Sequence, residues 1–557
     1  MRTGKTWLLA SVAFTAAILG GGIQAGAQNA PALSGSVSSP AEPAMEGVLV
    51  NARKDGGNIT VSVVSDDKGH YSFPAGRLSP GHYKLSVRAV GYDLQGPQEI
   101  DIPAGGAAKA DIKLDVTKNL EVQLNNAELM MSAPGTDRER NFFTNCVGCH
   151  NLQRPVFSTH NAEEFQEIFA RMQTYSSGST PLHFQRLFVD GERVRVRPQE
   201  ADVTRPRAEY FAKINLSTGP RPYPLVTLPR PKGRATHVIY TRYELPDRIA
   251  QPHDVVLSAD GHAWYSDFGR PVVGEIDPAS GKVTEYPLPI LKPKAPTGSL
   301  QIANDPRGYL WISMMMQGGL ARIDPKTKEI KPFPFPAEKQ SSSTYASMVA
   351  PQHSDVDGVI WTGDQSKHSL YKFHVDTGQY ESVGPATDAS GKHISGYGMP
   401  TDSKNRPYIL EFGDTRIGRV DPQTNVATIW PVSFGTRTKP RRGRVDSQDR
   451  LWFAAFGSGH IGMFDPATEK FAAYKPPTPW ANPYDVESDK NGEVWAGSML
   501  NDRLTRLDPK NGTFVDYLLP GQFSNIRRIF VDNKTERPTI WIGDNHGANV
   551  VHVEPLD

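Results

Sequence analysis

Cysteine is nearly absent, with two in 557 residues. That excludes any disulfide framework beyond a single bridge, so packing must hold the chain together. Net charge is also missing: 61 Lys+Arg face 60 Asp+Glu. Without a bulk field, neither nucleic acid nor an anionic membrane surface is an expected partner. Beyond the first residues no run approaches the roughly 20 apolar residues that a membrane span requires. Glycine and proline are plentiful, at 50 and 46, which predicts many short strands and turns. The length exceeds one ordinary core, and roughly two to four domains are expected.

Residues 1–27 read as an export signal. Arg2 and Lys5 precede an apolar run over 7–19, and Ala25-Gly26-Ala27 is a small-x-small cleavage site. The run is too short for an anchor. The mature chain is therefore expected to be periplasmic or secreted, with no membrane span.

Between 32 and 116, alternating runs such as Ile59-Thr60-Val61-Ser62-Val63 are separated by turns such as Ser79-Pro80-Gly81. The stretch Asp67-Lys68-Gly69-His70-Tyr71-Ser72-Phe73, followed by Leu78-Ser79-Pro80-Gly81-His82-Tyr83, resembles the carboxypeptidase regulatory-like family. The resemblance implies a small β-sandwich with no catalysis, a spacer or docking module. A linker is expected over 117–134.

Both cysteines lie in Cys146-Val147-Gly148-Cys149-His150. C-x-x-C-H is the attachment motif of c-type haem: two thiols add to the vinyl groups and the adjacent imidazole reaches the iron. A zinc site would need further thiols, and no second cysteine pair exists. A thioredoxin-like motif would need a βαβ context. The flanks, 135–218, read as helical. One helix is expected over 137–145, and a second starts at Asn161 with Glu164 completing a capping box. Its Phe165, Ile168, Phe169 and Met172 share one face. A third helix, 207–216, resembles the terminal helix of cytochromes c. That resemblance implies one covalent haem c, with iron held by His150 and commonly by a methionine. Met172 is the first candidate, since a thioether suits electron transfer, though it can equally pack on its apolar face. His160, His183 and an open iron site are the alternatives.

The remaining residues repeat. Trp264, Trp311, Trp361, Tyr408, Trp452, Trp495 and Trp541 stand 47, 50, 47, 44, 43 and 46 apart. In six of the seven units an acid-proline pair, such as Asp277-Pro278 or Asp508-Pro509, follows 13 residues later. A period near 45 predicts a seven-bladed β-propeller over 235–557. The seventh blade lacks an outer strand of its own, and 238–246 is expected to supply it and close the ring. The fold class is thus multidomain and mainly β: a small β-sandwich, an α-helical cytochrome c domain and a propeller.

Pro252-His253-Asp254-Val255, the tryptophans, and endings such as Ile417-Gly418-Arg419-Val420-Asp421-Pro422 resemble the streptogramin B (virginiamycin B) lyase family. The resemblance implies a metal-assisted elimination, commonly with Mg²⁺, and a histidine acid/base, here His253. The chain departs from that pattern. Asp267 replaces a longer acid, Gln251 stands where a Glu is expected, and Arg527 or Arg528 lies near the place of a second His. Three residues after the repeat aromatic also lie Asp364, Glu411 and Asp544; eleven before it lie Tyr397, Arg441 and Tyr484. A mouth of His253, Asp267, Asp364, Glu411, Arg441 and Asp544 can hold a divalent ion or a polar substrate, or consist of ordinary strand ends. The basic run 439–444 reads as an anion-pinning segment or as a solvated turn paired with Asp446 or Asp449. Met314-Met315-Met316 reads as core rather than a copper site.

Three functions follow: a haem-coupled oxidoreductase or electron carrier whose propeller binds a redox partner protein or a small polar substrate; a partner-binding scaffold that carries a cytochrome; or a lyase. Elimination transfers no net electrons and leaves a haem without a chemical task.

Overall fold

The computed structural model describes residues 30–189, 192–193, 201–217 and 223–557. The expected export signal lies outside them.

Two sheets form the N-terminal unit. One runs His70–Phe73, Leu33–Ser38, Ile112–Val116, Tyr92–Gly96; the other runs Ile59–Val64, Leu49–Lys54, Gly81–Arg88, Glu99–Ile102. Alternation does the sorting, as in His70–Phe73, where Tyr71 and Phe73 turn inward and His70 and Ser72 face solvent. Val37, Val50, Phe73 and Ile112 meet in the core between the sheets.

Seven sheets follow in chain order, and their inner strands adjoin in turn until Ile526–Asp532 lies beside Pro252–Leu257. The ring is propeller-like. Most repeat tryptophans are fully buried, and their indole N–H reaches into a turn: Trp311 donates to Asp305 at 3.0 Å, Trp452 to Asp446 at 2.8 Å, Trp495 to Asp489 at 2.9 Å. Packing and a satisfied indole together explain why tryptophan recurs. In the fourth unit, where Tyr408 replaces it, the inner strand shrinks to isolated bridges, Gly398 with Leu410 and Thr401 with Pro407.

Val238–Glu244 pairs antiparallel with Asn549–Pro555, as its pattern predicts. Its other edge pairs with Ile59–Val64, Ile239 opposite Val63 and Tyr243 opposite Ile59. One eight-stranded sheet therefore runs from the last blade into the sandwich. Arg88 adds a buried tie, donating to Asp502 at 2.6 Å. The sandwich is built onto the propeller.

The segment expected as a linker contains a helix, Asn126–Ser132, with a capping box between Asn125 and Glu128. It docks on the propeller, where Ala127 N–H donates to Leu500 O at 2.9 Å. The helix expected over 137–145 ends at Arg140 and tightens into a 3₁₀ stretch, Asn141–Gly148. There the Thr144 hydroxyl donates back to Asn141 O at 2.8 Å, competing with the α ladder. Ala162–Met172 starts on the expected Asn161–Glu164 box. The last helix, Ala201–Lys213, begins six residues before 207 and runs through Pro206. No helix among the described residues is long and apolar enough to cross a membrane.

Candidate functional site

The two cysteines sit on a tight turn. Cys149 N–H and His150 N–H both donate to Cys146 O, at 3.0 and 3.2 Å, which folds the five-residue motif into one turn. Val147 anchors the turn in a core with Phe143, Leu152 and Phe211. Both thiols are free, and burial raises their pKa, that of Cys146 to about 12. His150 Nδ1 lies 2.8 Å from Asn151 O. A donor N–H there assigns the acceptor role to Nε2, the form suited to binding a metal.

The propeller grips this turn. Asn525 donates to Val147 O at 2.9 Å, and Arg527 donates to Gly148 O at 2.5 Å. Beside it opens a cavity of about 310 Å³ lined by Cys149, His150, Arg154, Arg248, Phe523 and His546, among others. Both ring nitrogens of His546 are buried without a partner. Burial, with Arg527 and His150 nearby, pulls its pKa down to about 3.

Next to the turn lies the propeller axis. Five inner strands break register, between Pro252 and Val255, Ala346 and Val349, Pro440 and Gly443, Pro483 and Asp485, and Ile526 and Ile529. Such bulges re-aim side chains, and His253, Arg441, Tyr484 and Arg527 lie within or beside them. Arg441 is caged by rings, 3.7 Å from the centre of Tyr484, 4.5 Å from Phe412 and 4.7 Å from Phe456. The Tyr397 and Tyr484 hydroxyls are 2.6 Å apart. Burial pushes Tyr397 up; in Tyr484 the same effect is outweighed by Arg441 and Arg527, which lower it. Arg527 lies 4.7 Å from Phe268, and Phe268 lies 4.6 Å from His253. A continuous line of contacts thus runs from Gly148 to the axis.

His253 is fully buried, with Nδ1 2.6 Å from Asp254 and Nε2 unpartnered. Burial pulls its pKa to about 3, against the opposing pull of Asp254, which favours the neutral imidazole near pH 7. For Asp254, burial opposes ionisation, but Arg442 and Arg528 prevail and hold it well below the ordinary range.

The four strand-end carboxylates are engaged by neighbouring turns and strands, and of Asp364 only Oδ1 is bonded while Oδ2 is buried without a partner. Asp267 accepts from Gly269 N–H, Arg270 N–H and Arg270 Nε, each at 2.9 Å. Asp364 accepts from Ser366 Oγ at 2.6 Å, and Glu411 pairs with Arg416 at 2.6 and 2.7 Å. Asp544 accepts from Asn525 and Gly547 N–H groups, at 3.2 and 3.1 Å. Among the described residues the one grouping tight enough for a metal is Asp260, His262 and Glu275, none of them an expected mouth residue. Gln251, in place of a Glu, donates to Gly178 O at 2.8 Å and ties the helical segment to the propeller.

Met172 ends its helix 36% exposed, and it does not line the cavity. Phe165, Ile168 and Phe169 of the same face do pack inward. His160 lies 3.5 Å from Glu164, and His183 bonds Gly269 O at 3.1 Å. The basic run corrects the solvated-turn reading. Pro440–Val445 is an inner strand, and fully buried Arg442 pairs with Asp254, not with Asp446 or Asp449. Met314 and Met315 are buried, as expected of core. His546 was missed; the available signal was its place two residues after Asp544 in the repeat slot.

The virginiamycin B lyase family model matches residues 280–507, and the carboxypeptidase regulatory-like domain model matches 32–115. The first match leaves out His253, Asp267 and Arg527. No curated protein matches the chain. Among solved structures, a catalytically inactive virginiamycin B lyase from Staphylococcus aureus with quinupristin is 18% identical, TM-score 0.48, covering 57% of this chain and 99% of its own. A streptogramin B lyase structure is 18% identical, TM-score 0.49, covering 58% and 99%. The extracellular domain of a one-component system from B. thetaiotaomicron is 16% identical, TM-score 0.42, covering 54% and 40%.

Proposed function

We propose that this chain is an exported c-type haem protein that transfers electrons, with the propeller binding the redox partner or a small polar substrate. The observation that carries the reading is one turn holding free Cys146, free Cys149 and His150, with Cys149 and His150 lining a cavity between the helical segment and the propeller and Cys146 packed against the core beside it. The residues fit the group. Two thiols are available for thioether bonds, and His150 is oriented through Nδ1 with Nε2 left for iron. Arg154 and Arg248 line the same cavity and offer cations to the propionates. Bound there, haem supplies one-electron chemistry.

The chain's own residues do the rest. Phe523 lines the cavity and Val147 packs in the core beneath the turn, an apolar flank that would disfavour added charge on a bound haem. Arg527 links the Cys-His turn to Phe268, and Phe268 links it to His253 at the axis. An electron donor meeting the propeller beside part-buried Arg441 would stand at the end of a contact path that runs through Tyr484, His253 and Phe268 toward the haem edge. Arg441 and Arg527 favour an anionic or polar occupant.

A second reading, the partner-binding scaffold, rests on a different observation. At the other end of the inner strands an open groove of about 1100 Å³ presents Arg444, Glu487, His353 and Lys490. It offers a polar docking face whether or not electrons move. The lyase reading has less support, since His253 is fully buried with Nδ1 engaged by Asp254, and Asp267 is closed by Arg270.

The test is reduction of the full-length haem protein by candidate donors. Arg441→Ala should slow it several-fold at low ionic strength and leave haem content unchanged. Equal rates would separate the propeller axis from electron entry.

A further inference from the structure

We propose that His546, on the propeller's last turn, is the second axial ligand of the iron whose first ligand is His150. This rests on the haem reading above and goes beyond it by naming the ligand set.

His546 sits between two paired strands, Thr539–Asp544 and Asn549–Pro555. Its turn is fixed at both ends. Asp544 accepts from Gly547 N–H at 3.1 Å, and Asn549 Nδ2 donates to Gly547 O at 2.9 Å. A neutral imidazole carries one donor and one acceptor, and leaving both buried and unpaired is costly. Both His546 nitrogens are in that state, and the residue lines the cavity that His150 and Cys149 line. Asn525 and Arg527, from the strand next to Asp544, hold the carbonyls of Val147 and Gly148. The His546 turn and the Cys-His turn are therefore tied to one another beside the cavity that both line.

The other candidates are placed less well. Met172 is exposed, and neither it nor His160 nor His183 lines the cavity. Two imidazoles, in place of imidazole and thioether, give a lower potential, because a methionine ligand raises it. The site then suits electron exchange at low potential, with one ligand supplied by the helical segment and one by the propeller.

The experiment uses the full chain, exported in a host that attaches c-type haem, and reads electron paramagnetic resonance, near-infrared magnetic circular dichroism and the midpoint potential. Wild-type protein should show a low-spin ferric haem with two imidazoles and no thioether-to-iron band. His546→Met should add that band and raise the potential. His546→Ala should give a high-spin or imidazole-rescued haem, and Met172→Ala should match wild type. A wild-type thioether band that Met172→Ala removes would overturn the assignment. So would an unchanged spectrum in His546→Ala. Wild-type protein without covalent haem would overturn the haem reading as well, and the wild-type spectrum needs no variant to fold.

Discussion

Arg442 and Asp254 face each other across the propeller axis, with two guanidinium N–H groups 2.8 and 2.7 Å from the carboxylate oxygens. Both side chains are fully buried, and Arg528 adds a third bond to Asp254 at 3.0 Å. Blades one, five and seven are joined by one carboxylate. Removing it leaves two buried cations uncompensated, which typically costs about 3–5 kcal/mol. Asp254→Ala should lower stability by that order in urea unfolding monitored by tryptophan fluorescence. A loss below about 1 kcal/mol would show that water reaches the axis and solvates the arginines.

The sheet shared by sandwich and propeller makes a second prediction. Thr241 lies in the strand that pairs with Val61 on one side and His552 on the other. Thr241→Pro removes a backbone donor inside a central strand and should cost about 3 kcal/mol or more. Calorimetry of the wild type should show sandwich and last blade melting together. Two well-separated transitions would mean the pairing is too weak to couple them.

Glu487 gives a pH signature. Burial raises its carboxyl to about 7, against the pull of Arg444 and Arg528. With a folded pKa above the unfolded value, the native state binds more protons than the unfolded state between roughly pH 4.5 and 7. Its contribution to stability therefore falls as pH rises through that window. Glu487→Gln should flatten the decline in melting temperature between pH 5 and 8; an unchanged slope would assign the decline to other groups.

At the axis, Tyr484→Phe removes one partner of the 2.6 Å hydroxyl pair and leaves Tyr397 without it in a half-buried site. The expected loss is about 1–3 kcal/mol, and Tyr397→Phe with Tyr484→Phe should recover part of it. Chemical denaturation of the three variants measures both quantities. A double variant less stable than the sum of the singles would contradict the pairing.

Legibility differed with the kind of interaction. The blades were readable because Trp264, Trp311, Trp452 and Trp495 repeat at a fixed place, and the closing strand because the last unit lacked one. Pairing of Ile59–Val64 with Val238–Glu244 was not readable, since backbone groups make it and any extended run can serve. The helix at Asn126–Ser132 carried its capping box in plain view, but seven residues between polar flanks read as linker. Asp267 and Asp544 were placed correctly at strand ends. What the spacing could not show was that backbone N–H groups of the next turn already hold their oxygens. Arg442 differs from Arg441 only by the bulge between Pro440 and Gly443, which leaves one in an aromatic cage and pairs the other with Asp254.

The central claim is that Cys146 and Cys149 carry haem. Intact mass of the full-length chain, exported by a host that matures c-type cytochromes, tests it most directly. The account predicts the mature chain plus one haem, surviving denaturation, and no addition in Cys146→Ser/Cys149→Ser. A chain recovered at its bare mass with two free thiols would contradict it.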